Sequence, residues 1–156
     1  MTGFFSQTYE TPAEGLVYGP EEIKAILPHR EPMLLLDSMM LDAEGVCHAT
    51  YRIPDDPFYC QGHFPGNPIV PGVMLCEMMA QACSQLFVEA FRDHLLVYRG
   101  LDQVKFRGTV RPGDLCEITA RLVESKGGLY VCDASLAVGG KRCCQGIVTL
   151  AAVAKA

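Results

Sequence analysis

Apolar and polar positions alternate with a period of two along much of the C-terminal half of the chain. In Cys116-Glu117-Ile118-Thr119-Ala120-Arg121-Leu122 one face is apolar or small and the other is polar, the pattern of a half-buried strand. Tyr130, Cys132, Ala134, Leu136 and Val138 mark the core face of a following strand. Gly127-Gly128 and Gly139-Gly140 read as two-residue hairpin turns. A strand from there to about Val153 and another over Val97–Val110 extend the set. Upstream, Met33–Leu41 and Val46–Ile53 read as two strands around the turn Asp42-Ala43-Glu44-Gly45. Two segments break the alternation. Gly19–Leu27, with Pro20 in its first turn and Glu21 and Glu22 at its positive end, predicts a short helix stopped by Pro28. Pro71 to about Arg92 predicts a long helix, apolar almost all round near its start, which belongs inside a wrapping sheet. One long buried helix with five to seven antiparallel strands is an α+β layout.

A length of 156 residues fits one domain, expected over 19–156, with residues 1–18 as a loose N-terminal arm. The net charge of −5 argues against a general nucleic-acid binder. No apolar run approaches the ~20 residues of a membrane span; the run from Met33 to Leu36 is cut off by Asp37. The N-terminus lacks a basic region followed by a long apolar core, so no signal peptide is expected and a cytoplasmic location is. Eight cysteines, most at apolar positions, then read as small buried residues with reduced thiols, including the neighbours Cys143 and Cys144. Cys60-Gln61-Gly62-His63 has the spacing of half a zinc site, but no second pair sits at ligand spacing. No metal is expected.

The candidate chemistry gathers around a segment of a different kind. Pro54, Pro57, Gly62, Pro65, Gly66, Pro68, Pro71 and Gly72 make residues 54–72 neither helix nor central strand. The apolar residues within it predict a packed, shaped loop rather than a linker. His63 lies in this loop; it is either a hydrogen-bonded loop histidine or a proton carrier suited to neutral pH. Glu77 lies between Cys76 and Met78 in the most apolar part of the long helix. It either escapes to a surface edge or is a carboxyl held for use, with Gln81 one turn on to hold it. His29 reads as structural, after a helix end; His48 lies mid-strand. Pro71-Gly72-Val73 opens the helix, where free N–H groups and the dipole suit a developing oxyanion, and Gly72 permits close approach. Phosphate loops, dinucleotide fingerprints and serine elbows are absent from the sequence. A histidine, a glutamate and a helix N-terminus suit an elimination α,β to a carbonyl.

The run Gly62-His63-Phe64-Pro65-Gly66-Asn67-Pro68-Ile69-Val70-Pro71-Gly72-Val73-Met74-Leu75-Cys76-Glu77-Met78-Met79-Ala80-Gln81 resembles the signature of the 3-hydroxyacyl-acyl-carrier-protein dehydratases of fatty-acid synthesis. Leu27–Asp37 is similar to that family's other hallmark, and Lys105-Phe106-Arg107 with Pro112-Gly113-Asp114 to its later block. The resemblance spans about residues 20–153. It implies a hot-dog fold, a long helix wrapped by an antiparallel sheet. It implies a homodimer whose two sites each combine the histidine of one subunit with the acid of the other, and dimers that associate further as a trimer of dimers. By position, His63 is the catalytic histidine, Glu77 the catalytic acid, Gly72 the oxyanion N–H and Gln81 the residue orienting Glu77. A glutamate as the acid resembles the dehydratase-only branch. No redox cofactor is implied. The acyl chain is expected in a tunnel lined by Phe64, Ile69, Val70 and Met74. The chain departs from the pattern in one extra residue before Gln61 and in Gly108-Thr109 where Arg-Pro is usual.

Arg99, Lys105, Arg107 and Arg111 stand against only Asp102 within residues 99–111. This local positive patch is either a solvated strand face or a surface for an acidic partner, such as acyl carrier protein or the phosphate of its 4'-phosphopantetheine. The reading is dehydration of (3R)-3-hydroxyacyl-carrier-protein thioesters to trans-2-enoyl products. Its rivals are another hot-dog thioester enzyme, a thioesterase or CoA-linked hydratase, and a non-catalytic acyl-carrier-protein-binding hot-dog protein. Glu77 is expected to have a raised pKa, from its apolar surroundings.

Overall fold

The computed structural model describes residues 17–91 and 94–154; residues 1–16 of the expected arm lie outside that range. Tyr18, placed in the arm by the sequence, exchanges two backbone hydrogen bonds with Met39 (2.8 and 3.0 Å). Helix α1 (Pro20–Ile26) follows, with Pro20 at its first position and the Glu22 carboxylate accepting from the Gly19 N–H at 2.8 Å. Ile23 and Ile26 are its buried face.

Six strands form one antiparallel sheet: β1 (Ser38–Leu41), β2 (Cys47–Arg52), β3 (His94–Phe106), β4 (Leu115–Lys126), β5 (Leu129–Val138) and β6 (Lys141–Ala154). Their spatial order is β1-β2-β4-β5-β6-β3, so β1 and β3 are the edges. Both glycine pairs are hairpin turns as expected; φ is +59° and +81° at Gly127 and Gly128, and +60° and +79° at Gly139 and Gly140. That conformation at both central positions is the turn whose twist matches the strands it joins, and it is strained for any residue with a Cβ.

Helix α2 (Gly72–Cys83) packs on β4, β5 and β6. The sheet face beneath it carries rows of apolar and small side chains. Ala49, Ile118, Leu136 and Cys144 lie in register across four strands, and Cys47, Ala120, Ala134 and Gly146 form the next row. Small residues there let the sheet curl round the helix without voids.

Two expected elements differ. The strand expected over Met33–Leu41 begins only at Ser38. Leu34, Leu35 and Leu36 are all buried rather than alternating, because this stretch runs beneath α2 instead of joining the sheet. Its backbone is satisfied by a side chain: Leu35 N–H donates to Gln81 Oε1 at 2.9 Å, and Gln81 Nε2 donates to the Met33 carbonyl at 2.8 Å. The long helix expected to reach Arg92 is α-helical only to Cys83, then continues as 3-10 turns over Ser84–Phe91 with non-helical angles at Phe87. The Ser84 hydroxyl donates to the Ala80 carbonyl at 3.1 Å, and the Ser84 N–H reaches both the Ala80 and the Ala82 carbonyls where the coil tightens.

All eight cysteines are free and buried. Burial pushes the thiols of Cys47 and Cys116 up to about 12, so neither offers a thiolate at neutral pH. With all eight buried, the native protein should resist alkylation, and eight thiols should titrate once it is unfolded without reductant; three or four disulfides in that assay would overturn the reduced assignment. Gln81→Leu should cost roughly 1–3 kcal/mol in chemical denaturation, since it leaves the buried Leu35 N–H without an acceptor; an unchanged midpoint would show that the loop is held by packing alone.

Candidate active site

The loop 54–72 is held by its own backbone. Phe64 and Asn67 exchange N–H···O bonds of 2.9 and 2.8 Å around Gly66, whose φ is +73°. Ile69 N–H donates to the His63 carbonyl at 2.8 Å, and Val70 N–H to the Val110 carbonyl at 2.8 Å. His63 Nδ1 lies 2.9 Å from the Ile69 carbonyl. A carbonyl can only accept, so Nδ1 carries the hydrogen and Nε2 is left with its lone pair, the tautomer a general base needs.

His63 lines a cleft of about 420 Å³ together with Ile69, Val70, Gly72, Phe106 and Thr109. Gly72 opens α2 here, and a Cβ at that position would sit 2.7 Å from the Phe106 ring. Only glycine lets the aromatic ring close against the helix N-terminus. Gly108, part of the departure from the usual Arg-Pro, lies in the same wall, with space for a Cβ limited to 3.2 Å from Cys143 Sγ. Of the four expected tunnel residues, Ile69 and Val70 line this cleft. Phe64 is instead 50% exposed, with its ring stacked 4.1 Å from the His63 imidazole. Met74 packs against the core.

Glu77 lies in a different cleft, about 240 Å³, lined by His29, Ala80, Gln81, Ser84, Leu96, Val97, Tyr98 and Leu150. The two clefts have no lining residue in common. Gln81 holds Glu77 as expected, its Nε2 donating to Oε2 at 3.0 Å. Two residues that sequence reasoning left aside complete the surroundings. His29 Nε2 is 3.5 Å from the same Oε2, and Tyr98 of β3 lines the same cleft. His29 stands next to Pro28, where a structural role is the ordinary reading, and Tyr98 sits in an edge strand far along the chain; nothing local in the sequence points either at Glu77.

This shell overturns the expected raised pKa of Glu77. Burial does push it up, but the nearby imidazole of His29, the Gln81 amide and the Tyr98 phenol outweigh burial and hold it below the usual glutamate value. Conversely, burial and the Glu77 charge push the Tyr98 phenol well above its ordinary value, so Tyr98 keeps its proton.

Arg99, Lys105, Arg107 and Arg111 are all exposed, on β3 and the loop after it. Arg111 reaches the histidine loop: its guanidinium donates to Asn67 Oδ1 at 3.0 Å and to the Pro68 carbonyl at 3.3 Å. Arg107 Nε donates to Gln145 Oε1, which also accepts from Arg142.

Comparison with known proteins places this geometry. The family model described as ApeI dehydratase matches residues 40–146. The dehydratase heterocomplex ApeI:P from Xenorhabdus doucetiae superposes with a TM-score of 0.73 at 21% identity, over 88% of this chain and 93% of that one. The fluoroacetyl-CoA thioesterase FlK does so at 0.60 and 14% identity, over 70% of this chain and 85% of that one. These likenesses, with the single antiparallel sheet curled on one helix, define the class as a hot-dog fold. The curated 3-hydroxyacyl-[acyl-carrier-protein] dehydratase FabZ of Streptococcus pneumoniae is 39% identical over 134 residues, covering 84% of this chain and 95% of that protein. The FabZ of Latilactobacillus sakei is 40% identical over 83% of this chain and 94% of its own. The chain belongs to the 3-hydroxyacyl-[acyl-carrier-protein] dehydratase family and is a hydro-lyase. Among the described residues, no helix is long and apolar enough to cross a membrane.

Proposed function

We propose that the protein removes water from (3R)-3-hydroxyacyl thioesters carried on the 4'-phosphopantetheine of acyl carrier protein, giving trans-2-enoyl products in cytoplasmic fatty-acid biosynthesis. The observation that carries this reading is the pair of half-equipped clefts, a base-ready histidine in one and a held carboxyl in the other. His63 Nε2 takes the α-proton of the thioester. The first N–H groups of α2 at Gly72 hold the enolate oxygen as charge develops. The β-hydroxyl leaves as water with a proton supplied from the side of Glu77. Without that proton hydroxide would have to depart, and it is a poor leaving group.

The separation of the clefts supports a homodimeric site, with His63 of one copy facing Glu77 of the other. Leu96, Val97 and Tyr98 of the unpaired edge strand β3 wall the Glu77 cleft, so joining two β3 edges about a two-fold axis would complete both sites and remove an exposed edge. Higher association as a trimer of dimers belongs to the same reading. The solved neighbour from Xenorhabdus is a heterocomplex, but here both His63 and Glu77 are present in one chain, so two copies suffice. Arg99, Lys105, Arg107 and Arg111 form the docking patch for the acidic carrier; through Arg111 that patch also touches the histidine loop.

His63→Ala and Glu77→Gln should each lower turnover of a 3-hydroxyacyl thioester by roughly 10²-fold or more, with folding and carrier binding retained. Enoyl absorbance without free thiol is the expected product signature; free thiol would instead signal a thioesterase. Near-full dehydration by Glu77→Gln would remove the acid assignment and leave His63 carrying the proton in both directions. Mixing the two inactive variants provides a sharper check. Random exchange should restore about a quarter of the wild-type sites, because a mixed dimer has one site with both residues intact. No recovery after proven subunit exchange, or a stable monomer in light scattering at micromolar concentration, would rule out the composite site.

A further inference from the structure

The sheet has a second face, turned away from α2, on which neither His63 nor Glu77 stands. Side chains alternate between the two faces of a strand. His48, Thr119, Ser135 and Gln145 therefore lie in register on the open side, and Thr50, Glu117, Ala137 and Arg142 form the neighbouring row. Both rows line a cleft of about 960 Å³ that has no lining residue in common with the His63 cleft or the Glu77 cleft. At one end Arg107 Nε and Arg142 Nη1 donate to the same atom, Gln145 Oε1, at 3.4 and 3.1 Å. Two cations thus converge on one neutral oxygen. Among the described residues, no carboxylate forms an ion pair with either guanidinium. Glu117 is the carboxylate lining this cleft, and it stands two strands from Arg142 along their row, roughly 10 Å away. His48 is held by Asp42 at 2.8 Å.

We propose that the open face carries an anion site, separate from the active site, which takes the phosphate head of a free, elongated organic phosphate. A guanidinium is a planar fork of N–H donors that matches phosphate oxygens. Each of these two spends one N–H on Gln145 and keeps its other donors for a ligand. Two converging cations balance a doubly charged phosphate monoester better than a singly charged carboxylate. Next along the cleft are the half-buried hydroxyls of Thr119 and Ser135, 2.8 Å apart. Beyond them, at the β1 end, Met40 and Val17 supply apolar lining. From β6 to β1 the cleft crosses four strand spacings, roughly 19 Å. The charged head therefore sits between Arg107 and Arg142, and a less polar body extends over the hydroxyls towards Met40. Dehydration needs none of this. Arg107 borders the patch assigned to the carrier, whereas Arg142, Gln145 and Met40 lie outside it.

Isothermal titration calorimetry on the full chain tests the site, with inorganic phosphate and hexyl phosphate as probes at a fixed ionic strength of about 0.15 M. Hexyl phosphate should bind about tenfold more tightly than inorganic phosphate, because its chain reaches the apolar end. Arg142→Gln should weaken both probes about tenfold, the loss of one charge-assisted contact. Met40→Asp should remove the advantage of hexyl phosphate and leave inorganic phosphate within about threefold. Both side chains lie on the open face rather than in the core, so folding should survive, as circular dichroism will show. Turnover of a 3-hydroxyacyl thioester should be unchanged in Arg142→Gln, and the binding readout stands even if the protein is no dehydratase. Binding of neither probe to the wild type, or equal affinities in the wild type and Arg142→Gln, would overturn the site. Loss of hexyl phosphate binding in His63→Ala would place that probe in the active site and overturn the elongated-ligand assignment. A fall in turnover on carrier-bound substrate in Arg142→Gln, with free thioesters unaffected, would assign the phosphate to the carrier and overturn the free ligand.

Discussion

The buried amide of Gln81 is the contact on which the rest of the structure depends. It is 1% exposed in an otherwise apolar helix, where an unpaired amide is strongly unfavourable. Every polar atom of it is used: Oε1 accepts from Leu35 N–H, and Nε2 donates both to the Met33 carbonyl and to Glu77. One side chain therefore fixes where the leucine-rich stretch crosses α2 and where the carboxylate stands. The crossing stretch brings His29 along with it, four residues upstream of Met33. The architecture of the acid cleft is in this sense a consequence of satisfying a buried polar group.

The two chemical groups occupy opposite kinds of environment. His63 is carried by a loop stiffened by prolines and reciprocal backbone bonds, and a single carbonyl selects its tautomer. Glu77 is carried by a buried helix, accepts from Gln81 and shares its cleft with His29 and Tyr98 from two other parts of the chain. A base must keep one lone pair free, so one fixed partner suffices.

Local chemistry was legible in the sequence where it is decided locally. The glycine pairs, the proline at the start of α1, the shaped loop and the start of α2 all depend on neighbouring residues, and all stand where the pattern put them. What escaped depended on distant residues. Three consecutive leucines look like a strand unless the amide that satisfies Leu35 from 46 positions away is known. The end of α2 at Cys83 carries no proline or glycine to mark it. The direction of the Glu77 shift is not legible from its apolar sequence neighbours, because besides Gln81 the groups that lower it come from the His29 loop and from β3. His63, Glu77, Gly72 and Gln81 were recognisable as a set because they fall within twenty residues; His29 and Tyr98 join them only through the fold.

The edge strand links assembly to chemistry. β3 has 13 residues and, among the described residues, pairs on one side only, with β6. Its exposed face carries Leu95, Val97, Tyr98, Leu101 and Phe106. A long, apolar, unpaired edge is a hazard in a monomer and is ordinarily covered or paired. The same strand walls the Glu77 cleft through Val97 and Tyr98, closes on Gly72 through Phe106 and carries Arg99 and Lys105 outward. Any second copy that covered this edge would also close the acid cleft, lie beside the helix N-terminus and leave the cationic side chains at its border. Pairing there would exclude water from the donors around Glu77 and so strengthen each of their effects. The strand that most needs a partner is thus the one whose partner would most change the chemistry of the site.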